Sequence, residues 1–462
     1  MSLSLLACLC SAQVRYTVTY LDSTRPMVDV RIDVGQPIRP GSAFIMPRSI
    51  PGTYTIANYD QFIVDPIGMD AEGRTFPLSK LTNGAPRWVC ADSQARISVV
   101  QYQVDIARME AANQPSDASL LRPGFAGLLL YSVLGWVEGF DSLPIRFSVR
   151  TFTGWPAFCT LEPSDHPTRG SLSLDVADYP TLADAQLYLG PAFRVKRFGG
   201  EVPFYVAAFG QSGTEDLDNY GWMGVSCMRL LKDYFGMLPF QHYTLVVSKA
   251  LQPGNREAPA FAMEHLASST FLGDTSGMLM QRLDTIALRH RMPTYLHHMA
   301  HAFLPMRCYA GRYRPRPLEI PPLVETIWMN EGFMWFLVYD ILKMPRLAER
   351  FRTTVAQLPV ELRSLTLQEH SYQASTMYSL DFRTGMGIYA RGAMMAMEMD
   401  QHIRASTGGT RGMRDVLRYL YGYVQSYPLP IAPEALPGLM KEAVGVDLEA
   451  IFRRWSQPLM PH

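Results

Sequence analysis

The sequence predicts an α+β chain of more than one domain, with an N-terminal antiparallel β-sandwich over residues 14–164 and a mainly helical domain with a small sheet over residues 165–462. Three observations carry this. Short runs through the first third alternate apolar and polar residues with a period of two, broken by Gly, Pro and Asp. After Ser164 the runs lengthen and take helical spacing. A length of 462 residues with 48% apolar content is enough to bury more than one core.

Taken in order, residues 1–13 (MSLSLLACLCSAQ) form an apolar run followed by small residues, with a cleavage-like position after Ala12. A signal-peptide remnant is expected there, and with it a periplasmic or secreted protein. The alternative is a cytoplasmic chain with a first strand or a misplaced start codon at that point. No other stretch reaches the roughly 18 apolar residues needed to span a bilayer. Residues 15–20, 27–32 and 97–104 read as half-buried strands, Pro51-Gly52-Thr53-Tyr54 as a turn, and Gly154-Trp155 as a strand end. Cys90, Cys159, Cys227 and Cys308 are widely spaced and lack any CxxC pairing, so they do not read as a structural metal site; scattered buried thiols are expected, with disulfides in a periplasm the alternative left open. Formal charge is zero and only 18% of residues are charged, which gives nucleic-acid binding no support and suits small or peptide substrates.

In the second part, residues 243–247 read as a strand. A helix of about twelve residues is expected from Pro293, at its first turn, to Leu304, where Pro305 ends it. A loop rich in Pro and Arg follows. Further helices are expected over 323–343, with Trp328, Glu331 and Trp335 on one face, and over 389–404, 413–421 and 445–455. Met394, Met395, Met397 and Met399 fit a packed core.

The chemistry starts at His297-His298-Met299-Ala300-His301. Two histidines four residues apart share one helical face and can ligate one zinc ion, and the HExxH pattern places a glutamate between them as general base. Here that position is His298. A histidine pair at this spacing is a weak signal alone, because it arises by chance in chains of this composition.

The support comes from three further segments. Trp328-Met329-Asn330-Glu331-Gly332-Phe333 resembles the W-x-N-E-G-F stretch that supplies a third, glutamate ligand, with twenty-nine residues between His301 and Glu331. Ala262-Met263-Glu264-His265 is similar to a G-G-x-E-H element, and Ile388-Tyr389-Ala390-Arg391-Gly392-Ala393 to a Y-x-K-G-A helix start. In this order the segments resemble the glycyl aminopeptidase family of zinc metallopeptidases, family M61 of the gluzincin clan. The resemblance implies a thermolysin-like metallopeptidase domain holding one Zn2+ through His297, His301 and Glu331. It implies that Glu264, beside Ala262, holds the substrate α-amine, that the Tyr389 hydroxyl stabilises the oxyanion, and that peptide or protein N-termini are the partners. It also covers the P-G-x-Y and G-W elements of the first domain and a last helix, which in relatives precedes a PDZ domain absent from this sequence.

Three departures from the pattern bear on function. His298 replaces the base, and an imidazole with an ordinary pKa near 6.5 is a weak substitute for it. Phe261 and Ala262 replace paired glycines, which reshapes the amine subsite, and Met306 replaces a lysine. Three readings stay open: a zinc aminopeptidase of weakened activity, an inactive pseudopeptidase that binds zinc and peptide N-termini, and a metal-free interaction protein.

Overall fold

The computed structural model describes residues 13–49, 52, 54, 56–113, 118–209, 217–248, 261–272, 285–377 and 381–460. Residues 1–12 of the expected leader, Pro51 and Thr53 lie outside the described residues. The chain divides into two compact units, one of residues up to Arg48, Asn58–Glu162 and Pro167–Pro191, the other of Ser49–Ala57, Pro163–His166 and Ala192–His462.

The first unit holds a ten-stranded and a five-stranded sheet. Strand Val14–Tyr20 shows why: Val14, Tyr16, Val18 and Tyr20 point into the core while Arg15, Thr17 and Thr19 face outward. Its partner Met27–Asp33 pairs antiparallel and Val99–Asp105 continues the sheet, as the alternation predicts. Three buried tyrosines close the core by donating to successive carbonyls, Tyr102 to Val133, Tyr179 to Leu134 and Tyr16 to Gly135.

The structure corrects the antiparallel expectation at one place. Val14–Tyr20 pairs parallel with Ile145–Thr151, because more than a hundred residues of intervening chain bring the late strand back in the same direction. Strands also continue past residue 164: Ser171–Val176 pairs with Ile145–Thr151 and Gln186–Leu189 with Phe125–Leu129, so the β unit runs to Pro191.

The second unit is mainly helical around a five-stranded sheet, in the order Phe193–Phe198, Phe204–Phe209, Tyr243–Ser248, Ser268–Leu272, Phe261–Glu264. The helix Leu217–Phe235 forms the crossover between two parallel strands, Phe204–Phe209 and Tyr243–Ser248. The edge strand turns back antiparallel on Ser268–Leu272 and carries Glu264 as its last residue.

Several helix boundaries differ from expectation. The histidine helix is Thr285–Ala300, with Pro293 in its interior rather than its first turn, since proline forfeits a hydrogen bond there without ending the helix. The helix expected from residue 323 begins instead as a π turn, Trp328–Phe333, and continues as the α-helix Met334–Leu342. The wider π turn takes Trp328 and Trp335 out of one row: Trp328 packs on Phe333 and Phe452, Trp335 on His297 and Phe351. The helix expected over 389–404 runs from Phe382 to Ser406, capped by Asp381, and those after it are Met413–Ser426 and Glu449–Ser456. Met395 and Met399 are fully buried, with Met394 and Met397 packed against the core. The four cysteines from Cys90 onward form no disulfide. Among the described residues no helix is long and apolar enough to cross a membrane.

Candidate metal centre

His297 and His301 stand one turn apart at the C-terminal end of the Thr285–Ala300 helix, where the His301 amide still reaches the His297 carbonyl at 3.3 Å. Glu331 comes from the π turn. That turn is held by glycines: a Cβ on Gly332 would lie 2.5 Å from the Gly392 Cα, and one on Gly392 would lie 2.0 Å from the Trp328 carbonyl oxygen. The glycine of the W-x-N-E-G-F segment and that of the Tyr389 segment therefore abut backbone to backbone. This contact sets the helix carrying Tyr389 beside the turn carrying Glu331.

Three acceptor atoms converge. His301 Nε2 is 3.1 Å from His297 Nε2 and 3.5 Å from Glu331 Oε2, and His297 Nε2 is 3.2 Å from the same Glu331 oxygen. His301 Nδ1 lies 2.9 Å from the Leu304 carbonyl oxygen, which can only accept, so Nδ1 carries hydrogen and a neutral His301 presents a bare lone pair at Nε2. Three lone pairs facing one another repel unless a cation lies between them. Bonds of 2.0–2.2 Å to a tetrahedral ion put ligand atoms about 3.4 Å apart, and the observed edges bracket that value. The residues fit a zinc ion.

The electrostatics agree. Burial drives His297 down to about 3. Burial also opposes charge on His301, yet Glu264 and Glu331 raise it to about 9. Glu331, despite its burial, is held well below the usual carboxylate range by His301 and His297. The cluster favours positive charge, held by a proton on His301 when no metal ion is there to hold it.

Two residues that sequence reasoning did not assign to the site support it. Tyr54 donates to Glu331 Oε1 at 2.8 Å, leaving Oε2 for the histidines, and burial, then Glu331, push its hydroxyl well above the usual range so that it stays a donor. Trp335 stacks on the His297 ring at 4.2 Å. That stack orients a ring whose Nδ1 is buried without a hydrogen-bond partner. The tyrosine of a Pro-Gly turn gave a signal for local structure only, and Trp335 was legible only as an aromatic near Glu331.

The remaining candidates fall nearby. His298 Nδ1 is 3.3 Å from Glu264 Oε2, and Glu264 Oε1 is 3.9 Å from His301 Nε2. Ala262 lies on the same edge strand, opposite Phe271, whose ring meets His298 edge-on at 5.3 Å. Tyr389 is buried one turn before Gly392. The structure thus gathers His297, His298, His301, Glu331 and Glu264 into one cluster.

Residues 15–191 match the Peptidase M61 N-terminal domain, and the match ends at the last residue of the β unit. No curated protein sequence matches the chain. In structure it is similar to an aminopeptidase N family protein from Idiomarina loihiensis, with a TM-score of 0.82 at 16% identity over 97% of this chain and 76% of that one. It is also similar to an M1 zinc metallopeptidase from Deinococcus radiodurans, at 0.57 and 14% over 98% and 95%. A mutant of the latter bound to a Tyr-Ser-Ala substrate gives 0.55 and 15% over the same shares. At these identities the likeness is one of fold.

Proposed function

With residues 15–191 matching the M61 N-terminal domain as the premise, we propose that the chain is an M61-type, zinc-dependent aminopeptidase acting on peptide N-termini, with turnover weakened by the histidine at position 298. The observation that carries this reading is the triangle of His297 Nε2, His301 Nε2 and Glu331 Oε2, with edges of 3.1 to 3.5 Å.

Zinc held there would polarise the scissile carbonyl and lower the pKa of water. His297 and His301 supply neutral nitrogens, and Tyr54 keeps the Glu331 carboxylate turned toward them. Glu264 is the carboxylate available to a substrate ammonium, which limits attack to the first peptide bond. Tyr389 is the donor assigned to the carbonyl oxygen as charge develops on it. His298 stands where the family's glutamate takes the proton. With Nδ1–H donated to Glu264, its Nε2 lone pair is the one left to accept. The ring is broader than a carboxylate and tied to Glu264, so turnover falls by about 10²–10⁴-fold relative to a glutamate at this position. The apolar run at residues 1–13 favours an exported protein.

A second reading, binding of zinc and peptide N-termini without cleavage, rests on the residue at position 298: the metal triangle and Glu264 are in place while the position of the base holds no carboxylate. The test is turnover of Gly- and Ala-amino-terminal chromogenic peptides by protein of measured zinc content, wild type beside His298→Glu. Slow, chelator-sensitive cleavage by wild type that His298→Glu raises about 10²–10⁴-fold supports the aminopeptidase. A zinc-loaded wild type that is silent while the variant cleaves supports the binding protein. Absence of stoichiometric zinc overturns both.

A further inference from the structure

We propose that Glu264, His298 and His301 form a second seat for the same divalent ion, sharing His301 Nε2 with the first, so that one ion has two alternative positions in the cluster. This rests on the reading that His297, His301 and Glu331 bind zinc.

The argument begins with donor placement. Glu264, His298 and His301 each turn a ligand atom into one space, and these atoms all lie within 4.8 Å of one another, as do those of His297, His301 and Glu331. His298 Nδ1 is 3.3 Å from Glu264 Oε2, the edge length of a tetrahedral site, and Glu264 Oε1 is 3.9 Å from His301 Nε2. The longer edge runs between Glu264 and His301, and the third ligand, His298, has a side chain 17% exposed and is the least confined of the three, free to adjust to an ion held between them.

The chemistry of the two seats is the same. Each offers two imidazoles and one carboxylate, a set that suits Zn2+ and also Co2+ or Ni2+. A glutamate at position 298 would have set a second carboxylate beside Glu264. The histidine instead supplies a neutral nitrogen, and so completes the set.

Glu264 is also held in place for this role. It is 3% exposed, and Gly52 sits over its side chain: a Cβ on Gly52 would lie 3.0 Å from Glu264 Cγ and Cδ, and the Gly52 φ of +82° favours glycine in any case. Its two oxygens lie 3.3 Å from His298 Nδ1 and 3.9 Å from His301 Nε2.

The seats exclude each other. His301 gives its Nδ1 hydrogen to the Leu304 carbonyl and has one lone pair left, which bonds one ion. An ion in the first seat leaves Glu264 and His298 free for a substrate. An ion in the second occupies both, and the site is idle.

The test uses the full chain with Zn2+ and Co2+ as probes, in wild type, Glu331→Gln, His298→Ala and the double variant, each checked for folding by circular dichroism. The expected result is that Glu331→Gln still binds one Zn2+ per chain, more weakly, with altered Co2+ visible bands, and that adding His298→Ala lowers its affinity about 10- to 100-fold further. A folded Glu331→Gln that binds no zinc, or binds it indifferently to His298→Ala, overturns the proposal and leaves the first seat intact. If Glu331→Gln does not fold, the Co2+ spectra of wild type and Glu264→Gln decide: a difference supports the second seat and identity overturns it. A wild type that binds no ion removes the first seat, and this proposal with it.

Discussion

Two buried histidine clusters lie in the second unit, and they behave in opposite ways. Around His301 the lone pairs of His297, His301 and Glu331 face one another with too few hydrogens among them. Around His370 both ring nitrogens have a partner. Its Nδ1 accepts from Arg391, its Nε2 faces the Thr384 carbonyl, and Arg391 donates onward to the carbonyls of Leu365, Trp455 and Gln457. Both clusters are buried, both bring histidine beside a full charge, and both hold a histidine far below its ordinary pKa. Burial and a depressed histidine pKa therefore do not distinguish a metal centre from a structural clamp. The balance of donors and acceptors does, because only the first cluster is short of positive charge.

The comparison can be broken at each end. The largest effect is expected from His301→Ala, which removes the atom common to every metal-ligand set in the cluster. Zinc content measured by mass spectrometry should drop to background, an affinity loss of at least about 10³-fold, while a thermal melt still shows a folded chain. Arg391→Met should do the reverse: about 2 to 4 kcal/mol of stability lost in urea unfolding, because three part-buried carbonyls lose their charged donor, with zinc stoichiometry unchanged in the folded fraction. A metal loss that tracked Arg391 would show that the clusters are one system.

Smaller effects sharpen the contrast. Tyr54→Phe removes the hydrogen bond to Glu331 Oε1 and should weaken zinc about 10-fold in a competition titration, without changing the number of ions bound. Acid should act through His370. Burial, then Arg391, lower it from 6.5 to about 3, so the folded state favours the neutral ring. That contribution is complete above about pH 6.5 and is lost as pH falls toward 3, which predicts an acid decline in melting temperature that His370→Asn makes shallower.

The sequence made the site more legible than its setting. His297, His301 and Glu331 are recognisable because ligands and their spacing are chemical signals written in short segments, and strands such as Val14–Tyr20 because one face of each is buried. The parallel pairing of Val14–Tyr20 with Ile145–Thr151 depends on partners far apart in the chain, which periodicity does not encode. The π turn at Glu331 follows no local pattern either. It accompanies the close approach of Gly332 and Gly392, two glycines whose pairing appears only once their helices are side by side. Tyr54 escaped for the same reason: what matters about it is a contact 277 residues away.

Ser49–Ala57 leaves the β strands on either side of it and folds with the second unit, bringing Gly52 over Glu264 and Tyr54 onto Glu331. The two units are therefore not separable cassettes. A gene cut at the end of the β unit would deliver every expected zinc ligand yet omit the residues that aim two of its carboxylates. Recombination between relatives has to carry this nine-residue segment together with the histidine helix, or the exchanged halves will not match.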